Sequence, residues 1–443
     1  MSSIEEQQNI VRKTCRKFLS LPLVPISQQQ AQSSGKKAAR GDVSIEYGTF
    51  PAPPEQNLKN ALFDILEQIK SPEHEFPSRE EISLVDTSVE FIRGNKTTKG
   101  GVCSDSIIFY MHGGGLYFSS PAEYRAATVR LANLTGAVVA STSYRLCPQN
   151  TFPAALLDVL SAYACLLNPP AAAAATKGFP GPAPASKIVF AGNSAGVNLA
   201  FGLTKFLLEF NKLPEPTVEF HGKRMNLPVP AGITVVSGWC DPTDCLPSWL
   251  NPNGTDMLTS LQPALWPDFP SDDIWPSRPP REHPYTRAVN LDHELISPAA
   301  VSDWTGAPPM WFAVGELERG RDGNAAVACQ AASCGVHVTW TEWQEMCHEY
   351  MIVTRGLPQA SKTFTLWADA CVKYLTRSES ELEARKAVLY CMPDCKEVHM
   401  EGGLPGLAVI PHESIRRLMR IRNKQRPVWT GKSTNNKSRE TRL

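Results

Sequence analysis

Residues 187–201 read KIVFAGNSAGVNLAF, and the rest of the chain is best understood outward from there. Lys187–Ala191 has the length and apolar character of a buried strand, and an apolar helical pattern runs on from about 195 to 210. Between them lies Gly192-Asn193-Ser194-Ala195-Gly196. A strand that turns this sharply into a helix needs small residues on both sides of its central serine. Such a turn lifts the serine Oγ out at the carboxyl edge of a sheet, above a helix N-terminus whose N–H groups favour negative charge. An ordinary glycine-rich turn would use the same residues, so the context has to decide.

The context is an alternation. Strand-like segments recur at Ile82–Ile92, Ser106–Met111, Ala137–Thr142, Ala231–Ser237, Pro309–Val314 and Val336–Thr341. Helical patterns lie near 121–134, 152–167, 322–333 and 362–376. Repeated β–α alternation predicts a mostly parallel central sheet with helices on both faces, an α/β architecture. Residues 1–80 read as an N-terminal helical cap region, with helical spacing at Ile4–Phe18 and Gln56–Ile69 and a polar loop at 27–41. A catalytic α/β domain is expected over 81–377. Asn168–Ser186 and Leu213–Pro230 read as surface insertions. Gly238–Val301, rich in Pro, Trp and Asp, is too long for an ordinary loop and is expected to form a lid. Residues 378–443 read as an extension, helical over Glu381–Leu389 and His412–Arg426.

A second constellation follows Ser106–Met111: His112-Gly113-Gly114-Gly115-Leu116. Three glycines after a strand leave backbone N–H groups uncovered, as an oxyanion hole for acyl transfer requires. A phosphate loop is the other reading, but the G-K-[ST] ending is missing. His112 fits the role of orienting this loop better than that of a base. A serine hydroxyl also needs a histidine to take its proton and a carboxylate to hold that histidine. Of the histidines after Ser194, His348 lies in the loop Trp343-Gln344-Glu345-Met346-Cys347-His348-Glu349, just past a strand. Glu316, Glu318 and Asp322 lie past another, and any of the three could be the acid, or simply a solvated helix start.

Together with Tyr144-Arg145-Leu146-Cys147-Pro148 and Phe152-Pro153-Ala154-Ala155 through Asp158, these motifs resemble the hormone-sensitive-lipase-like branch of the α/β-hydrolase fold. That branch pairs an HGGG loop with a later G-x-S-A-G elbow, and the likeness spans about residues 80–377. It implies Ser194 as nucleophile, His348 as base, and an oxyanion hole from the N–H groups of Gly114, Gly115 and Ala195. The family's acid stands four residues before an Asp, a spacing kept by Glu318 and Asp322, so the resemblance carries the acid to Glu318, with Glu316 as the competitor. Asn193 stands where the family often has Asp, and Cys347 where Pro is frequent. A narrower likeness, through Ser237–Trp249 and Trp304–Pro309, is to fungal esterases related to steryl acetyl hydrolases. The implied activity is hydrolysis of short-chain esters, acetyl esters among them, of a bulky or lipophilic alcohol, without metal or organic cofactor. Two further readings stay open. The same triad could serve a tailoring acyltransferase, thioesterase or lactonase, or the fold could be a non-catalytic ligand-binding protein.

Composition sets outer bounds. The 443 residues are 42% apolar and 20% charged, with 44 basic and 44 acidic side chains. Ten of the basic residues and only one acidic residue lie in 416–443, so the remainder is acidic. A nucleic-acid-binding body is excluded, and only the basic tail could attract anions. No apolar run approaches a membrane span, and Phe18–Ile26 is too short and proline-broken for a signal peptide. The cytoplasm is therefore the expected compartment, with the twelve scattered cysteines reduced. Cys391, Cys395, His399 and His412 fit no standard zinc spacing, and a plain loop is expected there. Arg145 and Asp158 read as a structural pair. Trp239, Trp249, Trp266 and Trp275 either line a pocket or pack the lid. No sequence feature specifies an oligomeric state.

Overall fold

A computed structural model describes residues 2–34, 43–94, 105–251, 255–259, 263–266, 269–276, 282–382 and 386–426. Its strands are β1 (Val43–Phe50), β2 (Thr87–Gly94), β3 (Ile107–Met111), β4 (Val138–Ser143), β5 (Ile188–Asn193), β6 (Thr217–Phe220), β7 (Lys223–Asn226), β8 (Gly232–Val236), β9 (Met310–Gly315), β10 (Val338–Trp343), β11 (Lys386–Cys391) and β12 (Lys396–His399). β6 and β7 form a separate hairpin. The other ten make one sheet in the order β1-β2-β4-β3-β5-β8-β9-β10-β11-β12. Pairing is parallel from β4 through β11 and antiparallel at both ends.

Every residue of β3, β5, β8 and β9 is buried, which is why these strands read as unbroken apolar runs rather than alternating ones. Successive β3 side chains feed opposite layers: Ile107, Phe109 and Met111 enter one apolar cluster, Ile108 and Tyr110 the other. Helix Ala195–Phe210, buried along its whole length, lies in the first layer. Helices Arg125–Thr135 and Pro358–Thr376 pack together in the second. Between β3 and β5 the strand order reverses. At such a point the chain leaves the sheet in opposite directions and opens a crevice beyond the carboxyl ends.

The expected strands and the helices at Ile4–Leu19, Asn57–Ile69, Ala154–Leu167 and Arg321–Ser333 are found within a few residues of their sequence positions. Several expectations need correction. The region 1–80 is not only helical, because β1 pairs with β2 along its whole length. Part of the loop expected at 27–41 is helix Ile26–Ser33. The helix expected at Glu381–Leu389 is replaced by β11, whose Ala387, Val388 and Tyr390 are buried at the edge of β10. The sheet therefore runs past residue 377, through β11 to β12. Cys391 closes β11, Cys395 sits in the turn and His399 ends β12, so the plain loop expected there is a strand pair. Among the described residues, no group of three or more His, Cys, Asp or Glu side chains is placed to hold a metal ion. No described helix is long and apolar enough to cross a membrane.

The long excursion is fastened from both chain ends. Asp292 accepts from Arg420 Nε at 2.7 Å and lies 3.0 Å from His74 Nε2. Arg416 Nη2 reaches Glu294 at 2.7 Å, and Arg426 donates to the Pro242 carbonyl. Helix His412–Gln425 thus uses the first basic residues of the tail for docking. The rest of the tail, from 427, lies outside the described residues.

Candidate active site

Parallel register brings Met111 beside Gly192, Asn193 beside Val236, and Gly315 beside Trp343. The loops leaving β3, β5, β8, β9 and β10 therefore open at one edge. At the end of β5, Ser194 adopts φ 49° and ψ −122°. A serine held there costs on the order of 1–3 kcal/mol. The turn is held by Ser194 N–H donating to the Val236 carbonyl, and Trp239 N–H donating to the Ser194 carbonyl. A side chain at Gly196 would overlap the Met111 and His112 carbonyls. Only glycine lets the helix begin this close to the β3 loop.

Ser194 Oγ lies 2.9 Å from His348 Nε2. His348 Nδ1 lies 3.3 Å from Glu318 Oε2. The other Glu318 oxygen accepts from Gly315 N–H at 2.6 Å and from the Ser237 hydroxyl at 2.7 Å, and the carboxylate is almost fully buried. Glu316, two residues earlier, is exposed and accepts from Glu345 N–H. Asp322 accepts from Ser248 N–H. Of the three carboxylates on this loop, Glu318 is the one brought to His348.

Burial pulls the His348 imidazolium down, but Glu318, aided by Glu349 and Asp256, more than reverses this and raises its pKa to about 9. Burial pushes the Glu318 carboxyl up, and His348 pulls it back. The arrangement favours a charged imidazole at the position where proton transfer from serine would create one. His112 is the opposite case. It is buried between Tyr124 and Tyr144, its Nδ1 lies 2.7 Å from the Gly113 carbonyl, and burial lowers its pKa to about 4. It is built into the glycine loop as a neutral ring.

Gly114, at φ 108°, allows a turn closed by Tyr117 and Phe118 N–H groups donating to its carbonyl. The Gly114 and Gly115 N–H groups donate to no protein acceptor among the described residues. Both glycines border a cavity of about 130 Å³ shared with Ser194, His348, Trp239 and Trp249. Two of the four excursion tryptophans thus line the cavity. Trp275 instead donates to the Ala264 carbonyl, and Trp266 packs against the core. Arg145 and Asp158 form a forked pair at 2.7–3.0 Å, which also ties Arg145 N–H to the helix after it. A larger cavity, about 510 Å³, lies between helix Arg321–Ser333 and residues 403–415; Asp322 lines it, but Ser194, His348, Glu318 and the glycine loop do not.

Three contributors escaped the sequence reading. Ser237 holds Glu318. Asp256 accepts from His348 N–H at 2.8 Å and from Arg319 N–H at 2.9 Å, tying the excursion to the loops of His348 and Glu318. Glu349 flanks His348. Only the location of Ser237 at a strand end could have marked it; the other two carry no motif. Cys347 is sealed beside His348, and its thiol, in contact with Cys15 of the N-terminal helix, is pushed well above its ordinary pKa.

A serine on a sharp turn between a parallel strand and a buried helix, a histidine and a carboxylate from later strand ends, and a glycine loop from the neighbouring strand define a class. Residues 108–352, more than half of the chain, match the alpha/beta hydrolase fold family, and the chain belongs to that family. Its similarity extends to an acetyl-hydrolase of Streptomyces hygroscopicus, 28% identical over 58% of this chain and 71% of the relative. An esterase of Acinetobacter venetianus is 24% identical over 72% of this chain and 91% of its own length. Among solved structures, an esterase of the bacterial hormone-sensitive lipase family superposes with a TM-score of 0.57, covering 85% of this chain and all of that one at 19% identity. The expected α/β-hydrolase fold is borne out.

Proposed function

We propose that the protein is a serine carboxylic-ester hydrolase in which Ser194 attacks the ester carbonyl. The coarser statement, a carboxylesterase-type hydrolase, follows from its family and its esterase and acetyl-hydrolase relatives. The observation that carries the finer reading is the chain of contacts Ser194 Oγ–His348 Nε2 and His348 Nδ1–Glu318, facing a cavity edged by Gly114 and Gly115. His348 takes the serine proton as the C–O bond forms, while Glu318 holds the ring and stabilises its charge. The oxyanion is received by N–H groups of Gly114, Gly115 and Ala195. Losing one such donor typically costs about 3 kcal/mol in the barrier. His348 then protonates the departing alcohol, and water cleaves the acyl-enzyme by the same route.

A cavity near 150 Å³ holds about one benzene, so the space beside Ser194 suits a short acyl group, acetyl among them. The bulky alcohol would then extend past Trp239 and Trp249 toward solvent. The eleven described cysteines, all unbridged, support work in the cytoplasm. The test is intact-mass detection of fluorophosphonate labelling. One adduct on the wild type and none on Ser194→Ala is expected. No adduct on folded wild type would reject an activated serine and favour a ligand-binding role. Product analysis with a competing alcohol separates hydrolysis from acyl transfer.

A further inference from the structure

One carboxylate at the site is not used by the triad. Glu349 follows His348, is buried, and sits at φ 50°, ψ 28°. A glutamate enters this left-handed region at a cost on the order of 1 kcal/mol, so its side chain has to compensate. Glu349 Oε1 accepts hydrogen bonds from the Asn193 side-chain amide and from the Tyr124 hydroxyl at 3.2 Å. Asn193 Oδ1 in turn accepts from the Tyr110 hydroxyl at 2.6 Å, which fixes the amide with its NH₂ toward Glu349. A side chain at Gly113 would run into Tyr124 Oη, Asn193 Nδ2 and Glu349 Oε1 together, so this cluster lies against the glycine loop. Glu349 N–H donates to Ser237 Oγ at 3.0 Å, the hydroxyl that also holds Glu318.

Asn193 immediately precedes the nucleophile, Glu349 immediately follows the base, and Gly113 begins the loop of the oxyanion donors. One carboxylate therefore bonds the serine loop to the histidine loop and lies beside the glycine loop. On the serine-hydrolase reading above, we propose that Glu349 is a positioning residue. Its bond to Asn193, with Tyr124 as a second clamp, sets the Ser194–His348 separation against the glycine loop. The pair is complementary because one partner is a carboxylate and the other an amide. Two carboxylates facing each other would repel and push the loops apart. Exchanging the two groups keeps one of each.

That symmetry supplies the experiment. Turnover of p-nitrophenyl acetate is measured, with kcat and KM separated, for wild type, Asn193→Asp, Glu349→Gln, the double variant and Glu349→Ala, with thermal melts alongside. Misplacing reacting groups by about 1 Å costs on the order of 100-fold. Asn193→Asp should lose about 10- to 100-fold in kcat with KM little changed. Glu349→Gln, which still accepts from Asn193, should stay within about 3-fold of wild type, and the double variant should return to within about 5-fold. Glu349→Ala should lose about 10-fold in kcat, and it carries the test if Asn193→Asp does not fold. A double variant no better than Asn193→Asp, or an unchanged kcat for Glu349→Ala, overturns the proposal. Ser194→Ala is run beside them. Residual turnover there would reject the serine mechanism itself, whereas a dead Ser194→Ala with no recovery in the exchange rejects only the role of Glu349.

Discussion

The centre of the sheet and its two margins are built by different rules. At the carboxyl ends of β3, β5, β8 and β10, Gly114, Gly115, Ser194, Ser237 and Glu349 all have positive φ. The three that are not glycine are strained, and they lie where loops from separate strands must meet within hydrogen-bonding distance; at the margin the turn between β11 and β12 places Cys395 at φ 60°. Along β1, β2, β11 and β12, ordinary antiparallel pairing closes the sheet, and every residue of β12 is exposed. The centre is specified to fractions of an ångström by buried polar partners. The margins are specified by backbone ladders that tolerate many side chains.

The sharpest way to break this contrast is within one loop. Glu318→Gln should lower kcat by about 10³-fold or more, as loss of the carboxylate that sets a catalytic histidine's tautomer does elsewhere. Glu316→Gln, two residues away on the surface, should stay within about 2-fold. Steady-state kinetics on both decides it, and damage from Glu316→Gln would reassign the acid.

A smaller effect is expected from Asp256→Asn, read in the pH dependence of kcat/KM. The base must be neutral to accept the serine proton, and its pKa lies above the ordinary value of 6.5. Activity should therefore rise through an acidic limb displaced to higher pH. Asp256 contributes to that displacement, with Glu318 and Glu349. Removing its charge should move the limb to lower pH, toward the ordinary histidine value. An unmoved limb would mean that Asp256 only shapes the loop.

The smallest effect belongs to the margin. Val398→Ser in β12, where Val398 is 42% exposed, should leave kcat unchanged and stability within about 0.5 kcal/mol. A large loss of activity would show that the edge communicates with the site, and the contrast would fail.

The same contrast explains what could be read from the sequence. The buried central strands announce themselves as apolar runs, and the glycine-flanked serine and the glycine loop stand out because sharp turns demand small residues. β11 was legible only as part of a mixed stretch, where Lys386-Ala387-Val388-Leu389 suits either period and pairing with β10 decides. β1 follows a polar stretch of sequence and carries Glu46 and Gly48, so its pairing partner, not its own composition, makes it a strand. Glu318 was separable from Glu316 only through the family's spacing, and the fold adds the reason: one side chain points under the loop and the other into water. Ser237, Asp256 and Glu349 act through contacts between segments far apart in sequence. No local pattern announces such partners.

The seal between Cys15 and Cys347 has a consequence for measurement. Helix Ile4–Leu19 buries Gln7, Val11 and Cys15, with Gln7 bonded to the Pro393 carbonyl and to Gln359. While it is docked, a maleimide or haloacetamide cannot reach either sulfur. Alkylation has to wait for the helix to lift, and with reclosing faster than reaction its rate reports the population of the lifted form. Mass-resolved labelling of Cys347 over time would thus give the free energy with which the amino-terminal helix docks over Cys347, without a substrate and without unfolding the protein.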